Sequence, residues 1–122
     1  MDSSYFFSFQ HSVHINPYGN LMVFDNSLWK KQSGAVSFEL DTIKWTATPK
    51  IHAMLPRKKY TSRMGSAYVL PNNNLLQCSS KTGAVMVTDQ QGKILWELNS
   101  YFVPYRAEHI PSSVWTKYFT KE

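Results

Sequence analysis

Two histidines three residues apart, His11 and His14, are the side chains in this sequence best suited to chemistry. A neutral imidazole can act as a base, a metal ligand or a nucleophile. A His-x-x-His spacing indicates zinc only when further ligands lie nearby, and none cluster here, so we expect neither a metal nor a cofactor. The residue types leave two other roles open, a hydrogen-bonded structural role for His11 and half-buried packing for His14.

An internal repeat indicates which element carries these histidines. Residues 8–24 align without gaps on residues 62–78, an offset of 54, and share Ser, Pro, Asn and Leu at matching positions. In this alignment His11 stands opposite Gly65, so the histidine departs from the repeat. A Gly-Ala-Val tripeptide that recurs at an offset of 49 extends the unit to about 50 residues.

The local pattern within each unit predicts short strands separated by turns. Residues 21–24, 35–40, 67–70, 83–87 and 93–96 are rich in β-branched and aromatic side chains, and Pro, Asn and Gly punctuate the chain between them. Four-stranded antiparallel units that repeat every 40–50 residues are typical of β-propeller blades, in which the first strand lines the central channel. We therefore expect an all-β chain with His11 facing a channel. A β-sandwich with accidental internal similarity is the alternative.

The length of the chain, 122 residues, holds about two such units. We expect blade-like repeats at about 8–61 and 62–100, with residues 101–122 as a closing segment or tail. Because a propeller needs roughly four to eight blades to close its ring, two units predict a β-propeller fragment. Missing N-terminal blades or self-association with further copies would complete it.

Composition excludes several other classes. A hydrophobic fraction of 43% with only 17% charged residues argues against disorder, and the aromatic fraction of 15% suits strands, with the four Trp residues expected in blade packing. The net charge of +5 is scattered, so no nucleic-acid partner is expected. The sequence contains no stretch of 18 apolar residues, so we expect no membrane insertion. Its first residues lack the pattern of a signal peptide.

Several motifs appear in a fixed order along the chain. Gln10-His11 is followed by a Pro-x-Gly-Asn turn at 17–20 and by Phe24-Asp25-Asn26. This run resembles the bacterial arylsulfotransferases (aryl-sulfate sulfotransferases). Further stretches that resemble the family in order are residues 35–41, 64–66, 70–75, 89–97 and 105–107. Asp25 and Asn26 themselves are better explained as strand-end hydrogen-bonding residues than as catalysts.

The resemblance implies a six-bladed propeller that transfers a sulfuryl group from a phenolic sulfate donor to a phenol acceptor. It implies that His11 is the transiently sulfated nucleophile, and it makes Arg106 a candidate for substrate binding, with a structural cation as the alternative. It also implies a periplasmic or secreted protein. Family members usually carry Arg where this chain has Gly34, which puts a local ion pair in doubt.

Two functions from different classes follow. The first is the C-terminal portion of an arylsulfotransferase-like enzyme acting through a sulfohistidine intermediate, with the 122-residue chain alone incomplete or inactive. The second is a non-catalytic β-repeat fragment or interaction module derived from the same family.

Overall fold

The computed structural model describes residues 6–119 and confirms the prediction of an all-β chain. Blade 1 is the sheet of β1 (His11–Ile15), β2 (Leu21–Asp25), β3 (Gly34–Asp41) and β4 (Thr46–Met54). Blade 2 is the sheet of β5 (Ser66–Val69), β6 (Leu75–Ser79), β7 (Ala84–Thr88) and β8 (Ile94–Asn99). Both sheets are antiparallel meanders with their strands in sequence order, as in propeller blades.

Asparagine side chains and left-handed residues build the tight turn that opens each blade. The Asn16 side-chain oxygen accepts the backbone N–H groups of Tyr18 and Asn20, each at 3.0 Å, and Gly19 takes φ 81°. The matching turn of blade 2 places Asn73 at φ 69°. Asparagine tolerates this region, as expected from the sequence, because its side chain hydrogen-bonds to nearby backbone.

The hydrophobic core lies between the two blades. The faces that meet are lined by aliphatic side chains and one phenyl ring, all with at most 4% of their surface exposed: Met22, Phe24, Ala35, Ile51, Ala53 and Leu55 on one side, and Ala67, Leu75, Ala84 and Met86 on the other. Burial of each large side chain contributes about 1.5–3 kcal/mol. This core fixes the angle at which one blade sits on the other.

The blades converge at their first strands. β5 of blade 2 contacts β1, β2 and β3 of blade 1. A fan of this kind brings β1 and β5 together on the channel side, as expected for the innermost strands of a propeller.

The tryptophans do not pack in this core, so that prediction was wrong. Trp29, Trp45, Trp96 and Trp115 each have more than half of their surface exposed, and Trp45 reaches 85% at the turn between β3 and β4. The space between the blades is filled by Met22, Phe24, Leu55, Leu75 and Met86 together with several alanines.

The offset of 49 for the second half of the repeat was wrong by one residue. Ala35 pairs with Phe24, and Val85 pairs with Cys78, which lies 54 residues after Phe24. Val85 is therefore the counterpart of Ala35, an offset of 50. The two Gly-Ala-Val tripeptides differ in position because the glycine of the second one, Gly83, makes a turn at φ 73° before β7 begins.

The segment after blade 2 contains a helix that the sequence pattern did not predict. α1 (Ser112–Phe119) begins after Pro111, whose carbonyl accepts the N–H groups of Val114 and Trp115 at 3.0 Å. A proline just before a helix is favourable because its fixed φ suits the helical turn. Within residues 6–119 there is no helix of the length and hydropathy that a membrane span requires.

Candidate active site on the innermost strands

Both histidines lie on β1, and a β-bulge separates them. His14 pairs with Met22 while His11 pairs with Phe24, so three steps along β1 oppose two steps along β2. Ser12, inside the bulge, takes the left-handed φ of 60°. Paired residues point to the same face of a sheet, and Met22 and Phe24 both enter the core between the blades. His11 and His14 therefore share the face of β1 that is turned towards blade 2.

The bulge changes which residue of blade 2 corresponds to His11. In β5, which is regular, Ser66 pairs with Cys78, the counterpart of Phe24. His11 therefore occupies the place of Ser66 in the sheet, although the alignment sets it opposite Gly65. Gly65 itself takes φ 107° and lies against the Phe24 ring. Without the bulge the His11 side chain would point to the other face, because one residue of slip inverts a strand.

A short hydrogen bond orients the imidazole of His14. Its Nδ1 lies 2.7 Å from the backbone carbonyl oxygen of Ser12. Because a carbonyl only accepts hydrogen bonds, Nδ1 carries the proton, and the lone pair of the neutral ring is on Nε2. On its flat side the ring contacts Tyr68 of β5, with ring centroids 4.8 Å apart and planes tilted by 36°. The bulge thus supplies the group that holds His14 in one orientation.

Arg106, in the segment that follows blade 2, contacts the Tyr68 side of this ring pair. Its Nη1 lies 3.4 Å from the Tyr68 hydroxyl and its Nε lies 3.3 Å from the Glu108 carboxylate. The hydrogen bond to Tyr68 raises the pKa of Arg106, so the guanidinium stays charged. About half of the side chain is exposed. Arg106 is therefore placed beside the innermost strands with a permanent positive charge facing solvent.

Backbone contacts attach this segment to blade 2. The Ala107 N–H donates to the Ser66 hydroxyl at 3.1 Å, and the Ser80 hydroxyl donates to the Tyr105 carbonyl at 3.2 Å. The thiol of Cys78 lies 3.8 Å from the Pro104 carbonyl, and burial raises the pKa of that thiol. An irregular segment is thus held against β5 and β6, and these contacts fix the position of the Arg106 backbone.

Asp25 and Asn26 make hydrogen bonds at the end of β2, as expected from the sequence. The Asn26 amide donates to the carbonyls of Thr61 and Met64 at 2.9 and 2.8 Å, and so ties blade 1 to the linker that leads into blade 2. Asp25 accepts the Ser8 N–H at 3.0 Å. Burial raises the pKa of Asp25 despite that hydrogen bond and Lys30 at 3.6 Å. Both side chains are fully buried.

The position where the family usually has arginine has no room for a side chain. A Cβ at Gly34 would lie 2.5 Å from the carbonyl oxygen of Ala53 and 2.5 Å from the Cα of Met54. β3 and β4 approach too closely there for any residue but glycine. The chain therefore has close backbone packing at the position where an arginine could have made a local ion pair.

The structure brings together residues that the sequence treated separately. The sequence pattern assigns no role to Tyr68, and it leaves half-buried packing open for His14. Yet Tyr68 lies 54 residues after His14, so the two occupy the same position in the repeat. Equivalent residues of adjacent innermost strands are neighbours around a channel, so the alignment alone contained the signal for this contact.

These features define a class of protein, namely propeller-type blades whose innermost strands carry imidazole and phenol groups, with a guanidinium beside them on the segment that follows blade 2. The family model described as arylsulfotransferase (ASST) matches residues 1–101, and the chain belongs to this family. No curated protein and no solved structure matches the chain. Within residues 6–119 no three His, Cys, Asp or Glu side chains are grouped as metal ligands would be.

Proposed function

We propose that the protein transfers a sulfuryl group from a phenolic sulfate ester to a phenol, with His11 as the nucleophile. The observation that carries the proposal is the position of His11 in a chain of the arylsulfotransferase family. His11 lies on the innermost strand of blade 1, half-buried, and the bulge directs it to the face shared with His14. This is where a propeller exposes side chains to a ligand in its channel.

The reaction proceeds in two displacements. A lone pair of the neutral His11 ring attacks the sulfur of the donor, the bond from sulfur to the phenolic oxygen breaks, and a phenolate leaves with the electron pair. The oxygen of the acceptor phenol then attacks the N-sulfo group, and His11 is regenerated. Covalent catalysis divides one difficult transfer into two easier ones. Like phosphoryl transfer, each step spreads negative charge over the peripheral oxygens.

Positive groups are needed to stabilise that charge, and Arg106 is the candidate within this chain. Its guanidinium offers several donors in a fixed geometry suited to oxyanions. Further blades would supply the rest of the site, either from the same polypeptide or from other copies. They would also cover the outer face of blade 1, where the partly exposed Phe7 ring packs on Phe38 with ring centroids 5.7 Å apart.

Intact mass spectrometry after incubation with an aryl sulfate tests this function. We expect the wild type to gain the mass of one SO₃ and the His11→Asn variant to gain none. His109→Asn is the matched control, because His109 is an exposed histidine outside both innermost strands. It should form the adduct at the wild-type rate.

Two results would contradict the proposal. An adduct that persists in His11→Asn would move the nucleophile elsewhere. No adduct in the wild type, with the blades of the ring complete, would favour the non-catalytic interaction module instead.

A further inference from the structure

The bulge in β1 places a second imidazole beside the proposed nucleophile. The cross-strand partners of His11 and His14 are two residues apart on β2, so the two side chains leave the same face about 7 Å from each other. A regular strand would put residues three apart on opposite faces. The pairing is therefore a consequence of the bulge, and bulges often re-aim side chains next to active sites.

The environment of His14 suits proton transfer. Its Nδ1–H donates to the Ser12 carbonyl at 2.7 Å, which leaves Nε2 as the atom that gains or loses a proton. Within residues 6–119 Nε2 has no hydrogen-bond partner, and the Tyr68 ring supports one side of the imidazole. Nδ1 is a donor in both the neutral tautomer and the imidazolium, so the hydrogen bond to Ser12 holds the ring in one orientation in either state.

Resting on the proposed function, we infer that His14 is the general acid and base of the transfer. In the first displacement the His14 imidazolium gives its Nε2 proton to the departing phenolate oxygen, while the N–S bond to His11 forms and the S–O bond breaks. The products are the sulfated His11, a neutral phenol and a neutral His14. In the second displacement Nε2 takes the proton of the acceptor phenol as its oxygen attacks sulfur. His11 and protonated His14 are both restored, so every proton is accounted for.

If His14 is a general acid, the effect of losing it should depend on the leaving group of the donor. A purely structural role predicts no such dependence. A phenol has a pKa of about 10, so its phenolate is a poor leaving group without a proton. A nitrophenolate is more stable as the anion and needs the proton less. General acid catalysis contributes about 10²- to 10⁴-fold, and its loss should fall on the poorer leaving group.

The experiment measures single-turnover formation of the SO₃ adduct with phenyl sulfate and with nitrophenyl sulfate. For His14→Asn, which keeps a donor for the Ser12 carbonyl, we expect about a 100-fold loss with phenyl sulfate. With nitrophenyl sulfate we expect a loss of about tenfold or less. His14→Phe, which keeps a ring against Tyr68, should show the same selective loss, and His109→Asn should lose nothing with either donor.

The outcomes separate the two proposals. Equal losses with both donors, or no loss in either His14 variant, would overturn the role of His14 and leave that of His11 standing. No adduct in the wild type with either donor, with the blades of the ring complete, would overturn both. If one variant fails to fold by circular dichroism, the other decides.

Discussion

Blade 1 and blade 2 have the same strand order, yet their innermost strands differ in register. β5 pairs with β6 without interruption, whereas β1 shifts by one residue between His11 and His14. Both strands derive from segments that align without a gap. A repeat can therefore keep its length and still change the face to which a side chain points, because one bulged residue inverts the alternation.

The two blades also use left-handed residues differently at this point. Both blades have a left-handed residue shortly before the first strand, namely Phe9 at φ 53° in blade 1 and Met64 and Gly65 at φ 60° and 107° in blade 2. Blade 1 has a further one inside the strand, because Ser12 takes φ 60° between the two histidines. The conformational strain in blade 1 thus coincides with the candidate site.

The largest effect on stability should come from Gly65→Ala. A Cβ there would lie 2.5 Å from Cδ1 of Phe24 and 3.0 Å from the Cys78 carbonyl oxygen, and φ 107° is a glycine conformation. Strain and overpacking together should lower the free energy of unfolding by about 3 kcal/mol. Urea denaturation measures the loss. Gly19→Ala is the control. Its φ of 81° is also left-handed, but a Cβ there would have no atom of a non-neighbouring residue within 4 Å. This variant should lower the free energy of unfolding by about 1 kcal/mol. Equal losses would show that Phe24 yields easily.

Much of the fold could be predicted from the sequence, because strands and turns have local patterns. The strand beginning at Leu21 and the turn at Asn72–Asn74 follow from residue types that leave few alternatives. β4 was harder to predict because it contains Pro49, which a strand tolerates only at an edge. β4 is the outer edge of blade 1, so the proline interrupts no further pairing.

The candidate site could be predicted only in part. His11 departs from the repeat and so attracted attention, but the orientation of its side chain depends on a bulge at Ser12. Serine has no strong preference for a left-handed conformation, so the residue at position 12 does not predict a bulge. The approach of Arg106 to Tyr68 depends on an irregular segment fixed by tertiary hydrogen bonds, which no local pattern encodes.

A smaller effect should distinguish the serines of the two innermost strands. Ser12→Gly relieves a left-handed serine, so the free energy of unfolding should stay the same or rise by up to about 1 kcal/mol. Ser66→Gly removes a buried hydroxyl that accepts the Ala107 N–H at 3.1 Å and loosens a regular strand. It should cost about 1–2 kcal/mol. Urea denaturation of both variants makes the comparison, and a loss at Ser12 as large as that at Ser66 would mean that β1 carries no strained bulge.

The smallest effect should come from the ion pair that joins the linker to blade 2, and its pH dependence identifies it. Lys59, in the linker after blade 1, donates to the Glu97 carboxylate of β8, and this hydrogen bond lowers the pKa of Glu97. A lowered pKa stabilises the fold above the ordinary value of 4.5, and that contribution is lost as the pH falls through the lowered pKa. Glu97→Gln should therefore lower the free energy of unfolding by about 0.5 kcal/mol at pH 7. Urea denaturation measures this difference, and it should disappear in acid. Glu39→Gln is the control within blade 1, since the Glu39–Lys50 pair at 3.0 Å is far more exposed and its loss should cost close to nothing. A larger loss at Glu39 than at Glu97 would mean that the Lys59–Glu97 ion pair does not help to hold the linker on blade 2.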